Sequence, residues 1–211
     1  MEKEGNDLLK LIKTSIKYSR ISRFYDFYEY LIERFLFKKL RTEVISFAKK
    51  KTLEVGVGTG KNLPYYKSEI DLTAIDFSYG MLGIAQHKYG KTKLKKLTFL
   101  EMDVQNLSFK DNTFDTIIST FVFCTVPDPI SGLKELRRVL KPSGKAVFLE
   151  HMKSNSKFIN IPLFFMDLFT RIILGTSMLR KTQENIEFAG FTIELVNNKA
   201  FDILRMIIAR K

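Results

Sequence analysis

Residues 51–60, KTLEVGVGTG, constrain this chain more than any other stretch. They read as a short buried strand over 52–55 running straight into a turn with glycine at 56, 58 and 60. Glycine at alternate positions lets the backbone take φ > 0 and lets a ligand approach where a Cβ would stand in the way. A glycine turn after a strand and before a helix is the usual seat of a nucleotide-type cofactor in an α/β sheet. Alone the pattern is a weak signal, because a tight βα turn needs no ligand.

Downstream, strand and helix patterns alternate. A short helix is expected to start over 62–67, then a strand over 72–75 that ends at Asp76. A helix over 78–89 carries Met81, Leu82 and Ala85 on one side, and a strand over 97–100 is followed by Met102 and Asp103. FDTIIS, residues 114–119, is a fourth strand; 130–140 is a helix stopped by Pro142 and Gly144; 145–150 is a fifth strand. Such alternation implies parallel βαβ units joined by right-handed crossovers. The tail differs. Strands over 191–196 and 203–209 are separated by too short a connection for a crossover, so one of them is expected to run antiparallel.

Length and composition bound the class. The 211 residues predict one domain with an appendage, and 45% hydrophobic with 27% charged residues is an ordinary soluble globular composition. The single cysteine, Cys124, excludes an intramolecular disulfide and fits a reducing cytoplasm. No secretory signal or spanning helix is expected; the longest apolar run, 158–174, is interrupted by Asp167 and Arg171. The formal net charge of +12 favours polyanionic neighbours, nucleic acid or an anionic membrane surface, unless it serves only solubility. Residues 1–50 carry two helical apolar patterns, the second running from Phe24 to Leu40 with Phe27, Tyr28, Leu31, Ile32 and Phe35 between. Flanked by lysines, these stripes either pack on the sheet or lie in a membrane interface.

In an open α/β sheet, ligands bind beyond the C-terminal ends of the strands, so the residues there are the informative ones. Asp76 stands twenty residues after Gly56, the spacing at which a carboxylate accepts the hydroxyl hydrogens of a ribose. Asp103 can accept from an adenine amino group while Val104 packs on the ring. LEVGVGTGKN, AIDFS with Met81 following, EMDVQNLSFKDNTFD and ELRRVLKPSGKAVFLEH together resemble a class I S-adenosylmethionine-dependent methyltransferase. The resemblance implies an α/β, doubly wound, mostly parallel seven-stranded sheet, the Rossmann-like methyltransferase fold, with N-terminal helices and an antiparallel last strand. It implies S-adenosylmethionine as cofactor, with Glu54, Gly56, Gly58 and Gly60 around the methionine part, Asp76 on the ribose, and Asp103 with Val104 on the adenine. Phe77, Met81, Thr120 and Tyr25 complete the expected cofactor contacts. The turn is G-x-G-x-G with Lys61 next, which argues against the G-x-G-x-x-G of a dinucleotide-binding oxidoreductase.

Enzymes that methylate the exocyclic amine of a nucleobase carry Asn or Asp, two prolines and an aromatic after the fourth strand. Here Ser119, Thr120 and Phe121 stand at that point and no RNA-binding module is visible, so nucleic acid is not the expected partner. FYDFYE, FVFCTVPDP, LEH and TQENIEFAGF resemble the subgroup of phospholipid N-methyltransferases, ubiquinone/menaquinone C-methyltransferases and thiol methyltransferase-like proteins. That implies a lipophilic or membrane-lipid acceptor, with phospholipid amine first and a quinone or small thiol second. A cofactor-binding protein without turnover is the reading from another class. The transfer is expected to be direct and without metal, by a protein that is cytoplasmic and peripheral at the inner membrane surface. His151 has the pKa range of a general base, with a structural histidine as the alternative; Tyr25 is expected to close over the site; Glu150 is a base or a strand-end acceptor. The expected organisation is a helical segment over 1–50 and a catalytic domain over 51–211, with an apolar insertion or lid over 152–180.

Overall fold

Near-continuous apolar runs occupy the middle strands, as burial of both sheet faces demands. The computed structural model describes residues 37–91, 93–173, 177, 179–199 and 202–211. Seven strands form one sheet: β1 (Lys51–Val55), β2 (Asp71–Asp76), β3 (Lys96–Glu101), β4 (Phe114–Thr120), β5 (Leu140–His151), β6 (Thr192–Lys199) and β7 (Leu204–Arg210). Their order is β3-β2-β1-β4-β5-β7-β6. The first five are parallel, while β7 runs antiparallel to both neighbours, β5 and β6. The expected antiparallel strand of the tail is therefore β7. Burial follows position: β1, β4 and β7 are almost wholly buried, whereas the edge strands β3 and β6 are half exposed. On β6 the edge carries Asn197, Asn198 and Lys199, polar residues that discourage pairing with another chain.

The helices are α1 (Lys38–Ile45), α2 (Tyr79–Tyr89), α3 (Pro129–Val139), α4 (Lys157–Ile173) and α5 (Thr182–Phe188). Because side chains alternate across a strand, Phe148 faces one core while Val147 and Leu149 face the other. One core joins Phe114, Ile117 and Phe148 to Leu133 and Leu136 of α3 and Ile186 of α5. The other joins Leu72, Ile118 and Val147 to Val44 and Ile45 of α1 and Leu82 and Ala85 of α2. Helix α3 begins where Asp128 accepts from the backbone N–H of Ile130 and Ser131, both at 3.1 Å, with Pro129 at the first helical position.

Two expectations change in detail. The helix expected to start over 62–67 is a short 3-10 turn, Leu63–Tyr65. Strand β5 begins at Leu140, because Leu140 pairs with Phe114 before the register shifts and Lys145 takes up Thr116; the excess residues, Pro142 among them, bulge outward. The apolar stripe from Phe24 lies outside the described residues except for its last turn, and α1 continues it to Ile45. Among the described residues, no helix is long and apolar enough to cross a membrane.

Candidate active site

Strand order reverses between β1 and β4, and the cleft opens there, beyond the C-terminal ends of the strands. The glycine turn forms one wall. Gly56 has φ 62°, and a Cβ there would lie 2.5 Å from a methyl of Val122. Gly58 has φ 55° and would meet nothing within 4 Å, so its backbone faces open space in the cleft. The turn is tied to β2, since the Val57 N–H donates to the Ile75 carbonyl at 3.0 Å.

Asp76 lines the cleft at the end of β2. Its two carboxylate oxygens accept from the N–H of Gly58 at 2.8 Å and of Ser78 at 2.9 Å, locking the two strand ends together. Burial pushes its pKa up to about 6, against the pull of these N–H donors. At the end of β3, Asp103 and Val104 line the adjoining wall with Met102. Both Asp103 oxygens accept from the Gln105 side-chain amide, at 3.1 and 2.9 Å, and the Gln105 side-chain Oε1 accepts from Asp128 N–H. Gln105 thus links the third strand end to the start of α3.

A buried polar network supports the other wall. Arg41 of α1 donates to the Asn62 side-chain oxygen at 2.9 Å and to the Thr120 hydroxyl at 3.2 Å. Asn62 in turn donates to Glu54 at 2.9 Å and to Thr120 at 3.0 Å. Arg41 and Thr120 line the cleft; Glu54 lies beneath the turn, where burial raises its pKa to about 7.

Phe121 closes the mouth from the end of β4. Its φ of 60° is left-handed, a conformation that costs a non-glycine residue about 1–3 kcal/mol. Surrounding contacts hold it there. The Arg41 guanidinium sits 5.3 Å over its ring, and the rings of Phe37 and His151 lie 5.1 and 4.7 Å away. Just beyond, Glu150 accepts from the Ser119 hydroxyl and from the N–H of Val122 and Phe123, at 2.9, 3.0 and 3.2 Å. Glu150 is fully buried, and that burial raises its pKa to about 7.

Of the residues singled out from sequence, Gly56, Gly58, Asp76, Phe77, Met81, Asp103, Val104 and Thr120 line this one cleft. Glu54, Gly60, Glu150 and His151 do not. Gly60 is turned into the packing, where a Cβ would meet Tyr89 and Leu63. His151 stacks behind Phe121, and burial lowers its pKa to about 4, leaving a neutral imidazole. Tyr25 lies outside the described residues. Sequence reasoning passed over Arg41, Asn62 and Gln105. Arg41 lies just past an apolar stripe that ends at Leu40, and Asn62 reads as the start of a helix; neither has a local signal of its partners. Among the described residues, no group of three or more His, Cys, Asp or Glu is arranged to hold a metal.

Residues 53–148 match the family of methyltransferase domains. Phosphatidylethanolamine N-methyltransferase of Cereibacter sphaeroides is 40% identical over 102 residues, covering 48% of this chain and 50% of that protein. Demethylmenaquinone methyltransferase of Paenarthrobacter aurescens is 38% identical over 102 residues, covering 48% and 38%. The chain thus spans half or less of the length of these curated relatives. Among solved structures, an S-adenosylmethionine-dependent methyltransferase from Thermotoga maritima superposes with a TM-score of 0.71 at 19% identity, covering 92% of this chain and 98% of that one. The methyltransferase from a complex with the Trm112 activator of Haloferax volcanii gives 0.71 at 16% identity, covering 92% and 96%. At such identities the likeness is one of fold.

Proposed function

We propose that this chain, whose residues 53–148 match methyltransferase domains, is a class I S-adenosylmethionine-dependent methyltransferase that acts on a lipophilic acceptor at a membrane surface, a phospholipid headgroup amine first. The observation that carries methyl transfer is the convergence of the Gly56–Gly58 backbone, Asp76 and Asp103–Val104 on one cleft. The cleft's own groups fit the cofactor. Its backbone is bare at Gly58, its buried carboxylate at Asp76 has lone pairs for ribose hydroxyls, and Ile75, Met102 and Val104 offer apolar walls to an adenine.

Bound there, S-adenosylmethionine supplies a methyl group on sulfonium for attack in line by the acceptor. The chain's contribution is alignment and exclusion of water. Gly56 and Gly58 let the methionine part approach the backbone, and the Arg41 guanidinium on the same wall suits its carboxylate. Asp103 can receive the adenine amine while remaining fixed by Gln105. Phe121 shields the transfer from solvent. We assign Glu150 to positioning, because its carboxylate is spent on the backbone that holds Phe121. His151 supports the same ring by stacking, and its low pKa makes it a weak proton acceptor.

The preference for a phospholipid amine rests on the likeness to the Cereibacter sphaeroides protein. Methylation of a quinone carbon is the second reading, favoured by the likeness to demethylmenaquinone methyltransferases. Incubating the full chain with methyl-labelled S-adenosylmethionine and a total lipid extract separates them. Labelled N-methylated phosphatidylethanolamine is the expected product, and label in a quinone supports the second reading. Cofactor binding in calorimetry with no labelled lipid overturns the lipid acceptor; absence of binding overturns methyl transfer altogether.

A further inference from the structure

Helix α4 leaves the C-terminal end of β5 close to the cleft and shows the chain an unusual face. Phe158, Ile161, Phe164, Phe165 and Leu168 are 53–85% exposed. At 100° per residue they fall within one sector of roughly 120°. Leu163 and Asp167, on the opposite side, are buried. Asp167, the single acid of this helix, accepts from the Ser177 hydroxyl and the Leu179 N–H, so the exposed face carries no negative charge. An apolar face of this size is not a solvated surface.

Beside it lies a recess of about 570 Å³ lined by Lys153, Lys157, Arg180, Lys181 and Arg205, with Glu184 as its single acid, paired to Lys181 at 2.9 Å. Its floor is built: Arg205 is buried, pairs with Asp202 at 3.4 Å, and donates to Gln183, Asn155 and the Lys153 carbonyl, so the free positive charge belongs to the rim. Lys153, Lys157 and Lys181 are exposed at its rim. Aromatic side chains next to the exposed Lys153 and Lys157 complement the acyl and phosphate layers of an anionic bilayer.

We propose that α4 lies in the plane of an anionic membrane, its apolar face in the acyl boundary and the neighbouring recess over lipid phosphates. The inference deepens the lipid-acceptor reading and rests on it for its purpose. The geometry also orients the cleft. The segment after α4 is pinned to the loop after β4, through Ser177 N–H to the Cys124 carbonyl at 2.9 Å and Arg180 to the Val126 carbonyl at 3.1 Å. Val126 lines the cofactor cleft. Docking through α4 therefore holds the cleft at the headgroup layer.

Sedimentation of the full chain with vesicles of phosphatidylcholine, alone or mixed with phosphatidylglycerol, tests the proposal. Binding is expected to be on the order of tenfold tighter or more on the anionic vesicles, and to weaken with salt. The double variants Phe164→Ser/Phe165→Ser and Lys153→Glu/Lys157→Glu each lower it about tenfold. All four sites are exposed, so the fold should survive, and cofactor binding by calorimetry checks that it does. Equal binding to both vesicles, or wild-type binding by both variants, overturns the proposal. A dimer in light scattering that Phe164→Ser/Phe165→Ser dissolves, without vesicle binding, also overturns it and assigns the face to a second copy. Detergent-dispersed lipid separates the two readings: turnover there without vesicle binding removes the docking surface alone. Vesicle binding by the wild type but not the variants, without turnover of any lipid, removes the acceptor reading alone.

Discussion

At the scale of single residues, Glu150 and Asp76 both hold backbone N–H groups, but only Asp76 lines the cleft. Glu150 is consumed by the protein, gathering the Ser119 hydroxyl and two backbone N–H groups around the strained Phe121. Replacing it by Ala leaves three buried donors without an acceptor, each costing about 1–3 kcal/mol. Glu150→Ala is therefore expected to lose several kcal/mol in urea denaturation and to bind S-adenosylmethionine weakly, with Glu150→Gln restoring part of both. Asp76 holds Gly58 and Ser78 but also lines the cleft, and in the proposed ribose contact its ionised form is the better acceptor. With its pKa raised to about 6, cofactor affinity is expected to fall roughly tenfold per pH unit below that point. Titration calorimetry from pH 5 to 8 reads this directly, and Asp76→Asn should flatten the profile. Asp76 and Asp103 were legible from sequence because strand ends are announced by apolar runs stopping at an acid. The roles of Glu150 and Arg41 were not, because their partners lie 27–31 and 21–79 residues away.

At the scale of elements, the start of α3 does more than begin a helix. Asp128 caps it through Ile130 and Ser131, while Asp128's own N–H donates to Gln105, the residue that grips Asp103. Removing the cap with Asp128→Ala is expected to cost about 1 kcal/mol in chemical denaturation. The βαβ alternation and the tail hairpin were readable because hydrophobic period and connection length determine them. The glycine turn was readable for the same reason. Helix α4 was visible as an apolar run too charged to span a bilayer, with a lid, a shallow membrane anchor and an ordinary buried helix all open to it. Which of its faces is exposed depends on where Leu163 and Asp167 find partners, and no local pattern encodes that. The bulge that starts β5 at Leu140 was hidden because Pro142 and Gly144 read as helix terminators, and a bulge and a turn use the same residues.

At the scale of the whole molecule, three buried carboxylates set the response to pH. Glu54, Asp76 and Glu150 have pKa values raised to about 7, 6 and 7, all chiefly by burial. Between the unfolded values near 4 and these values, the three carboxylates hold more protons in the folded state, so stability falls as pH rises; His151, lowered to about 4, opposes them below its usual value but is one group against three. Urea midpoints without cofactor are therefore expected to be higher at pH 5 than at pH 8, and Glu150→Gln should reduce the slope. The order β5-β7-β6 has another consequence, in time rather than space. Strand β7 enters between β5 and β6, pairing residues 146–151 with residues 204–209. During synthesis, the Ala-Val-Phe-Leu edge of β5 stays unpaired until more than fifty further residues, counted from those pairings, have emerged. An apolar edge left waiting invites pairing with other chains, and its late, long-range closure makes the final sheet slow to form. Yield of folded protein should thus depend on how quickly β7 arrives, with slow translation through residues 152–203 favouring aggregates over the closed sheet.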